Sequence, residues 1–249
     1  MKRNDVFLSS AKACLENGER LMEDIEALDL ESRPSTIVAL AISAQEEFAK
    51  GFLLILVYRH IVPWTALIRR AVNDHVCKQL LGVVMDYLSH NWDRILASMD
   101  KPLSERYKPW PLPRSVADAI NLLRHERLAQ LQKRWPIGWV EVPKYDKVAM
   151  KVFNREVERL RQDALYVTID SAGRATKLPM SIPRDTARWA IHRADRLKEV
   201  LGDHLHNEPH GVDVAGLTDL LTAIFRDLEE KQSRSVCPSS IWPRPCRHQ

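Results

Sequence analysis

The stretch Ser35–Tyr58, STIVALAISAQEEFAKGFLLILVY, limits the possible folds more than any other part of the chain. It follows Pro34, opens on Ser35 as the expected N-cap, and holds no proline and one glycine. At helical spacing Ile37, Leu40, Ala41, Ala44, Phe48, Gly51, Phe52 and Ile55 share one face. The opposite side is hardly more polar, being made of Ala39, Ile42, Ala49, Leu53 and Val57. A helix that is apolar nearly all round belongs in the middle of a bundle. Into this helix the sequence places Glu46, Glu47 and Lys50. A buried carboxylate costs stability unless it is paired, so Glu46 and Lys50 are expected to neutralise each other or to reach partners on a neighbouring helix.

The flanking sequence supplies those neighbours. Residues 4–29 read as an amphipathic helix through Val6, Ala11, Leu15, Leu21, Met22, Ile25 and Leu28, closed by a turn at Ser32–Arg33–Pro34. A third helix is expected from about Trp64 to Met99, started by Pro63 and bent near Gly82. Its seam, Leu67, Ala71, Asp74, Lys78, Leu81, Met85, Leu88 and Trp92, alternates steps of four and three. Asp74 and Lys78 interrupt that apolar line, with His75 beside them. This is a second place where polar groups enter a core face.

Beyond it, Lys101–Pro113 is a proline-rich loop, Ser115–Arg134 a helix, Trp135–Pro143 a turn-rich connection and Lys144–Leu165 a helix. The β-like run Leu165–Ile169 and the turn Ser171–Ala172–Gly173 predict a short hairpin or extended loop near 165–183. Helices over Arg184–Leu205 and Val214–Lys231 complete the body. The fold class is therefore all-α: a bundle of about seven helices with long Pro-rich connections, one domain over residues 1–231, and a flexible Pro/Ser/Arg-rich tail over 232–249.

Composition narrows the function. The 249 residues carry a net charge of only +4, with basic residues scattered among acids, which permits nucleic-acid contact without arguing for it. Cys14, Cys77, Cys237 and Cys246 show no CxxC and read as free thiols. The N-terminus lacks the apolar core of a signal peptide, and the longest apolar run, Phe52–Val57, is too short to span a bilayer, so a cytoplasmic location with no membrane contact is expected. The seven tryptophans are spread out and read as core or loop anchors rather than a base-stacking platform.

No Gly-rich phosphate loop, GxSxG elbow, HExxH or Glu-x-x-His signature is present. Asp203, His204, His206, Glu208 and His210 have the spacing of a transition-metal cluster but fall at an expected helix end, where such residues are normally solvated, so no metal or cofactor is expected. One Arg-x4-His element runs from Arg70 to His75, and Arg69 gives a spacing of five to the same histidine. A histidine can move a proton and an arginine can steady charge on a pentacoordinate phosphorus, so the pair has the groups for metal-independent RNA cleavage. The competing interpretation is a buried polar network that sets helix register.

The pieces LENGERLMEDIEAL and ALAISAQEEFAKGFLL, with Glu46, Glu47 and Lys50, resemble the AbiV family of abortive-infection proteins. RRAVNDHVCKQLL resembles that family's His-x-x-Lys element at His75 and Lys78, and RLRQDALYVTIDSAGRATKLP its later basic, Leu-Tyr-Val and turn element. Together these cover about residues 5–185, with Ala49 where the family commonly has glycine. The resemblance implies a bacterial antiphage protein similar to HEPN-type all-α ribonucleases, whose Arg-x4–6-His element is assembled across a homodimer. It assigns Arg69 or Arg70 and His75 as the catalytic pair, Glu46, Lys50, Asp74 and Lys78 as their support, and Arg161 and Tyr166 as residues closing the site. The expected partners are a second copy of the chain, RNA, and a phage-encoded or host translation-related protein. An interaction protein that arrests growth by binding, without chemistry, is the alternative. Exposure of His75 discriminates between the two.

Overall fold

A computed structural model describes residues 3–91, 112–131, 144–179, 182–205 and 222. The helices are α1 (Arg3–Glu26), α2 (Pro34–Tyr58), α3 (Ala66–Ala71), α4 (His75–His90), α5 (Arg114–Asn121), α6 (Leu128–Leu131), α7 (Lys147–Phe153), α8 (Glu156–Leu165) and α9 (Arg184–Leu205), with a π-helical stretch at Leu122–Arg127 between α5 and α6. A two-stranded antiparallel hairpin, β1 (Thr168–Ile169) and β2 (Ala175–Lys177), stands between α8 and α9. The fold is all-α, as its periodicity requires.

Helix α2 is the axis, packing against α1, α4, α8 and α9. Its side chains explain this position: Ile37, Phe48, Phe52, Ile55 and Leu56 are fully buried, and so are residues on every side of the helix. Close approach is allowed by small residues. Gly18 of α1 lies under the Phe48 ring, and Gly51 lies against Leu201 of α9 and Cys14 of α1. A smaller apolar cluster, Val76, Leu80, Ala119, Leu122, Ala149 and Val152, joins α4 to α5, the π-helical stretch and α7. A buried polar tie crosses α2 and α9: Arg193 donates to Gln45 Oε1 (2.6 Å), and Gln45 Nε2 donates to the Ala190 carbonyl (2.8 Å).

Several boundaries differ from those expected. Ser35 is not the N-cap of α2. The helix begins at Pro34 after Arg33, which gives no side-chain cap, and Ser35 Oγ accepts from the Ile182 amide instead. The third helix is two helices, with no break at Gly82. Thr65 caps α3 through the Ile68 amide, and Asp74 caps α4 through the Cys77 amide (2.9 Å), so the cap that starts α4 is also what ends any continuous helix. The helix expected over Lys144–Leu165 is likewise divided, because Arg155 adopts a left-handed backbone (φ 62°) between α7 and α8. The hairpin does form, and Gly173 supplies the positive φ (78°) of its turn. No described helix is long and apolar enough to cross a membrane. Residues 92–111, 132–143, 206–221 and 223–249 lie outside the described residues, and with them the end of the helix expected to Met99, most of the loop Lys101–Pro113, the connection Trp135–Pro143, all but residue 222 of the helix Val214–Lys231, the tail, and His206, Glu208 and His210.

Candidate active site

The polar groups of α2 and α4 meet at one point. Glu46 is 5% exposed, and its carboxylate takes three donors, all from α4. His75 Nδ1 lies 2.6 Å from Oε2, Lys78 Nζ 2.9 Å from the same oxygen, and Gln79 Nε2 2.8 Å from Oε1. The i, i+3 and i+4 spacing of His75, Lys78 and Gln79 puts all three on the face of α4 that meets α2. Because a carboxylate accepts, His75 Nδ1–H donates to Glu46, which in the neutral ring puts the lone pair on Nε2. The His75 side chain is 46% exposed.

Helix α8 supplies a second wall. Glu158 is 7% exposed, and its Oε2 lies 3.8 Å from His75 Nδ1. Arg161 holds it through two contacts, Nε to Oε2 (3.0 Å) and Nη2 to Oε1 (2.6 Å), and Gln162 adds a third to Oε1 (2.7 Å). Burial acts to raise the Glu158 carboxyl, but the hydrogen bonds from Arg161 and Gln162 and the Arg161 charge outweigh it and hold it below its ordinary value. His75 thus stands between two buried carboxylates, each matched by its own cation.

The other expected residues fall around this centre. Glu47 and Lys50 pair with each other (2.6 Å), so Lys50 neutralises Glu47 and not Glu46. Asp74, just before His75, does two jobs: it caps α4 and forms a two-point pair with Arg127 of the π-helical stretch. Burial works to raise Asp74, yet the Arg127 hydrogen bonds, the Cys77 amide and the Arg127 charge hold it below the usual carboxylate range. Arg70 is on the exposed side of α3 and donates to the Leu131 carbonyl (2.7 Å), while Arg69 is exposed beside it. Neither guanidinium makes a hydrogen bond or ion pair to His75 within the protomer. Tyr166 is 62% exposed just past the end of α8. Burial pushes the Cys14 thiol up to about 11 and also raises Cys77, so neither is a thiolate nucleophile.

Sequence reasoning passed over Glu158, Gln79, Gln162 and Arg127. A signal existed for the first: Glu158 sits between Val157 and Leu160 on the inward side of α8, followed by Arg161 and Gln162 one turn on.

The family model HEPN_AbiV, described as AbiV, matches residues 7–199 of the 249. The chain belongs to the AbiV family. The match spans α1 to most of α9 and therefore includes every residue of the site. AbiV membership places the chain among abortive-infection, antiphage proteins with a HEPN-like domain. No curated protein and no solved structure matches it.

Proposed function

We propose that this AbiV-family protein is an antiphage effector with a HEPN-like, metal-independent endoribonuclease site centred on His75. The observation that supports this most is the Glu46–His75 pair, with Nδ1 held at 2.6 Å by a buried carboxylate while the His75 side chain is about half exposed. A histidine kept only to set helix register has no need of an exposed edge. In the proposed reaction His75 Nε2 takes the proton of a ribose 2′-hydroxyl, whose oxygen attacks the neighbouring phosphorus. The bond to the 5′-oxygen breaks, and that oxygen leaves as a hydroxyl after taking a proton from water, while the proton on His75 returns to solvent, giving a 2′,3′-cyclic phosphate. Glu46 fixes the ring, Lys78 and Gln79 fix Glu46, and Arg70 or Arg69 steadies the charge that develops on the phosphoryl oxygens. Since these arginines do not reach His75 inside one protomer, a homodimer that sets them against a partner's histidine completes the arrangement. Host or phage RNA is the substrate class.

A specific surface favours the second reading, a growth-arresting interaction protein. Leu165, Tyr166, Val167, Ile169 and Leu178 are all exposed around the hairpin, an apolar surface suited to a phage-encoded or host translation-related protein. The two readings separate when wild type, His75→Ala and Arg70→Ala are compared for growth arrest and phage protection after circular dichroism has shown each to be folded. Loss of both activities in folded variants, with RNA cleavage by the wild type, supports the nuclease. Protection that survives in them moves the function to the surface.

A further inference from the structure

The groups around His75 also make a donor set for a metal ion. One oxygen of Glu46, one oxygen of Glu158 and a ring nitrogen of His75 all lie within 4.8 Å of one another. They come from α2, α8 and α4, so tertiary packing rather than a single loop brings them together. Two carboxylate oxygens and one imidazole nitrogen suit first-row dications such as Zn2+, whereas Mg2+ prefers oxygen ligands and keeps its water. Both carboxylates are already oriented by outer partners, Gln79 and Lys78 on Glu46, Arg161 and Gln162 on Glu158.

A separate observation marks the same spot. Gln79 is 5% exposed, and its Oε1 is buried with no hydrogen-bond partner, on the very amide whose Nε2 donates to Glu46. A buried amide oxygen left in this way is costly to keep. A water carried by an ion at Glu46 would donate to it.

We infer that Glu46, His75 and Glu158 bind a zinc-type dication, and that the ion switches His75 off. The ion takes the place of the Nδ1 proton, so Nδ1 and Glu46 Oε2 separate from 2.6 Å to about 3.3 Å, as ligands on a tetrahedral ion do. The displaced ring proton moves to Nε2, the total proton count of the neutral imidazole being unchanged. Nε2 then donates where it had accepted, and it no longer takes a proton from a hydroxyl. Lys78 and Arg161 already offset the two carboxylates, which weakens the site relative to an unpaired one and makes it a sensor of zinc rather than a permanent zinc centre. The binding stands on geometry alone; the switching rests on the ribonuclease reading.

The test titrates metal-free full-length protein with ZnCl2, and in parallel with MgCl2, by isothermal calorimetry. One saturable Zn2+ per chain is expected, weakened at least about tenfold in His75→Ala and Glu158→Gln and unchanged in His206→Ala/His210→Ala. His75 is half exposed, so its alanine variant remains folded and decides the matter even where Glu158→Gln does not. Absence of a saturable Zn2+ site in the wild type, or wild-type affinity in His75→Ala, overturns the site. RNA cleavage by the metal-free protein that continues at saturating zinc overturns the switch. A metal-free protein that cleaves no RNA overturns the ribonuclease reading instead, and the calorimetric result still decides the zinc site.

Discussion

His75 Nδ1 lies 2.6 Å from Glu46 Oε2 across the interface between α4 and α2. The contact joins a buried acceptor to a half-exposed ring, and for a neutral imidazole it sets which nitrogen carries the proton. A base that must find its proton in a flexible substrate gains most when its own tautomer is set in advance. His75→Ala is therefore expected to reduce RNA cleavage about 10²–10⁴-fold with a native circular dichroism spectrum. A folded His75→Ala that cleaves at the wild-type rate removes the histidine from the chemistry.

Glu46 pairs with Lys78 in the core and, in the proposed reaction, positions His75, and the two roles can be separated. Glu46→Gln leaves Lys78 buried without a carboxylate, which is expected to cost about 3–5 kcal/mol in urea unfolding. The double variant Glu46→Gln/Lys78→Met removes the uncompensated charge and is expected to regain most of that stability while cleavage stays low. Recovery of cleavage together with stability would show that Glu46 only holds the fold.

Asp74 and Arg127 couple the start of α4 to the π-helical stretch. The folded pKa of Asp74 lies below its unfolded value, so the pair contributes stability above the ordinary carboxylate range and loses it as pH falls through the lower folded value. Asp74→Ala is expected to lose about 1 kcal/mol for the cap, and more for the unpaired Arg127. Its stability should also fall less steeply on acidification than that of the wild type. A variant with the wild-type acid slope would place the sensitivity elsewhere.

His204 acts in a different pH window. Burial lowers it to about 4, against an opposing hydrogen bond to the Val200 carbonyl and with the nearby Arg59 charge adding to the lowering. Its unfolded value is near 6.5, so its contribution is present above 6.5 and is lost as pH falls from 6.5 towards 4. His204→Asn keeps a donor for Val200 and is expected to flatten the stability curve across that interval, a change on the order of 3 kcal/mol at its lower end. An unaltered curve measured by thermal unfolding contradicts the assignment.

Gly18 tests the packing of α1 on α2. A Cβ there would lie only 2.7 Å from Phe48 Cδ1, inside the ring's contact distance. Alanine improves helix propensity by about 1 kcal/mol, but overpacking costs about 1–3 kcal/mol, so Gly18→Ala is expected to be destabilising on balance. Gly202 has open space at the same position, and Gly202→Ala should be neutral or stabilising in the same denaturation assay.

The legible parts of the sequence were those governed by local periodicity. The apolar circumference of α2 announced a central helix, and the polar breaks at Glu46, Asp74 and Lys78 announced paired polar groups in the core, because a charge there is costly to keep without a partner. Ion-pair choice was not legible. Glu46 and Lys50 stand at helical spacing, yet Glu46 pairs with Lys78, and Lys50 with Glu47, since which cation meets which carboxylate depends on how α2 and α4 are set against each other. The break before α4 was hidden for a related reason: Asp74 fits the apolar seam by spacing, and only its bonds to the Cys77 amide and Arg127 show that it ends one helix and starts another. Glu158 was masked by looking like any charge on an amphipathic helix.

The central claim is that His75 performs proton transfer on RNA. Its most direct test is single-turnover cleavage of a labelled RNA by purified metal-free wild type and by folded His75→Ala, with mapping of the product ends. The account predicts 2′,3′-cyclic phosphate ends from the wild type and a loss of roughly 10²-fold or more in the variant. Equal rates from the two proteins, or no cleavage by a wild type that still arrests growth, would contradict it.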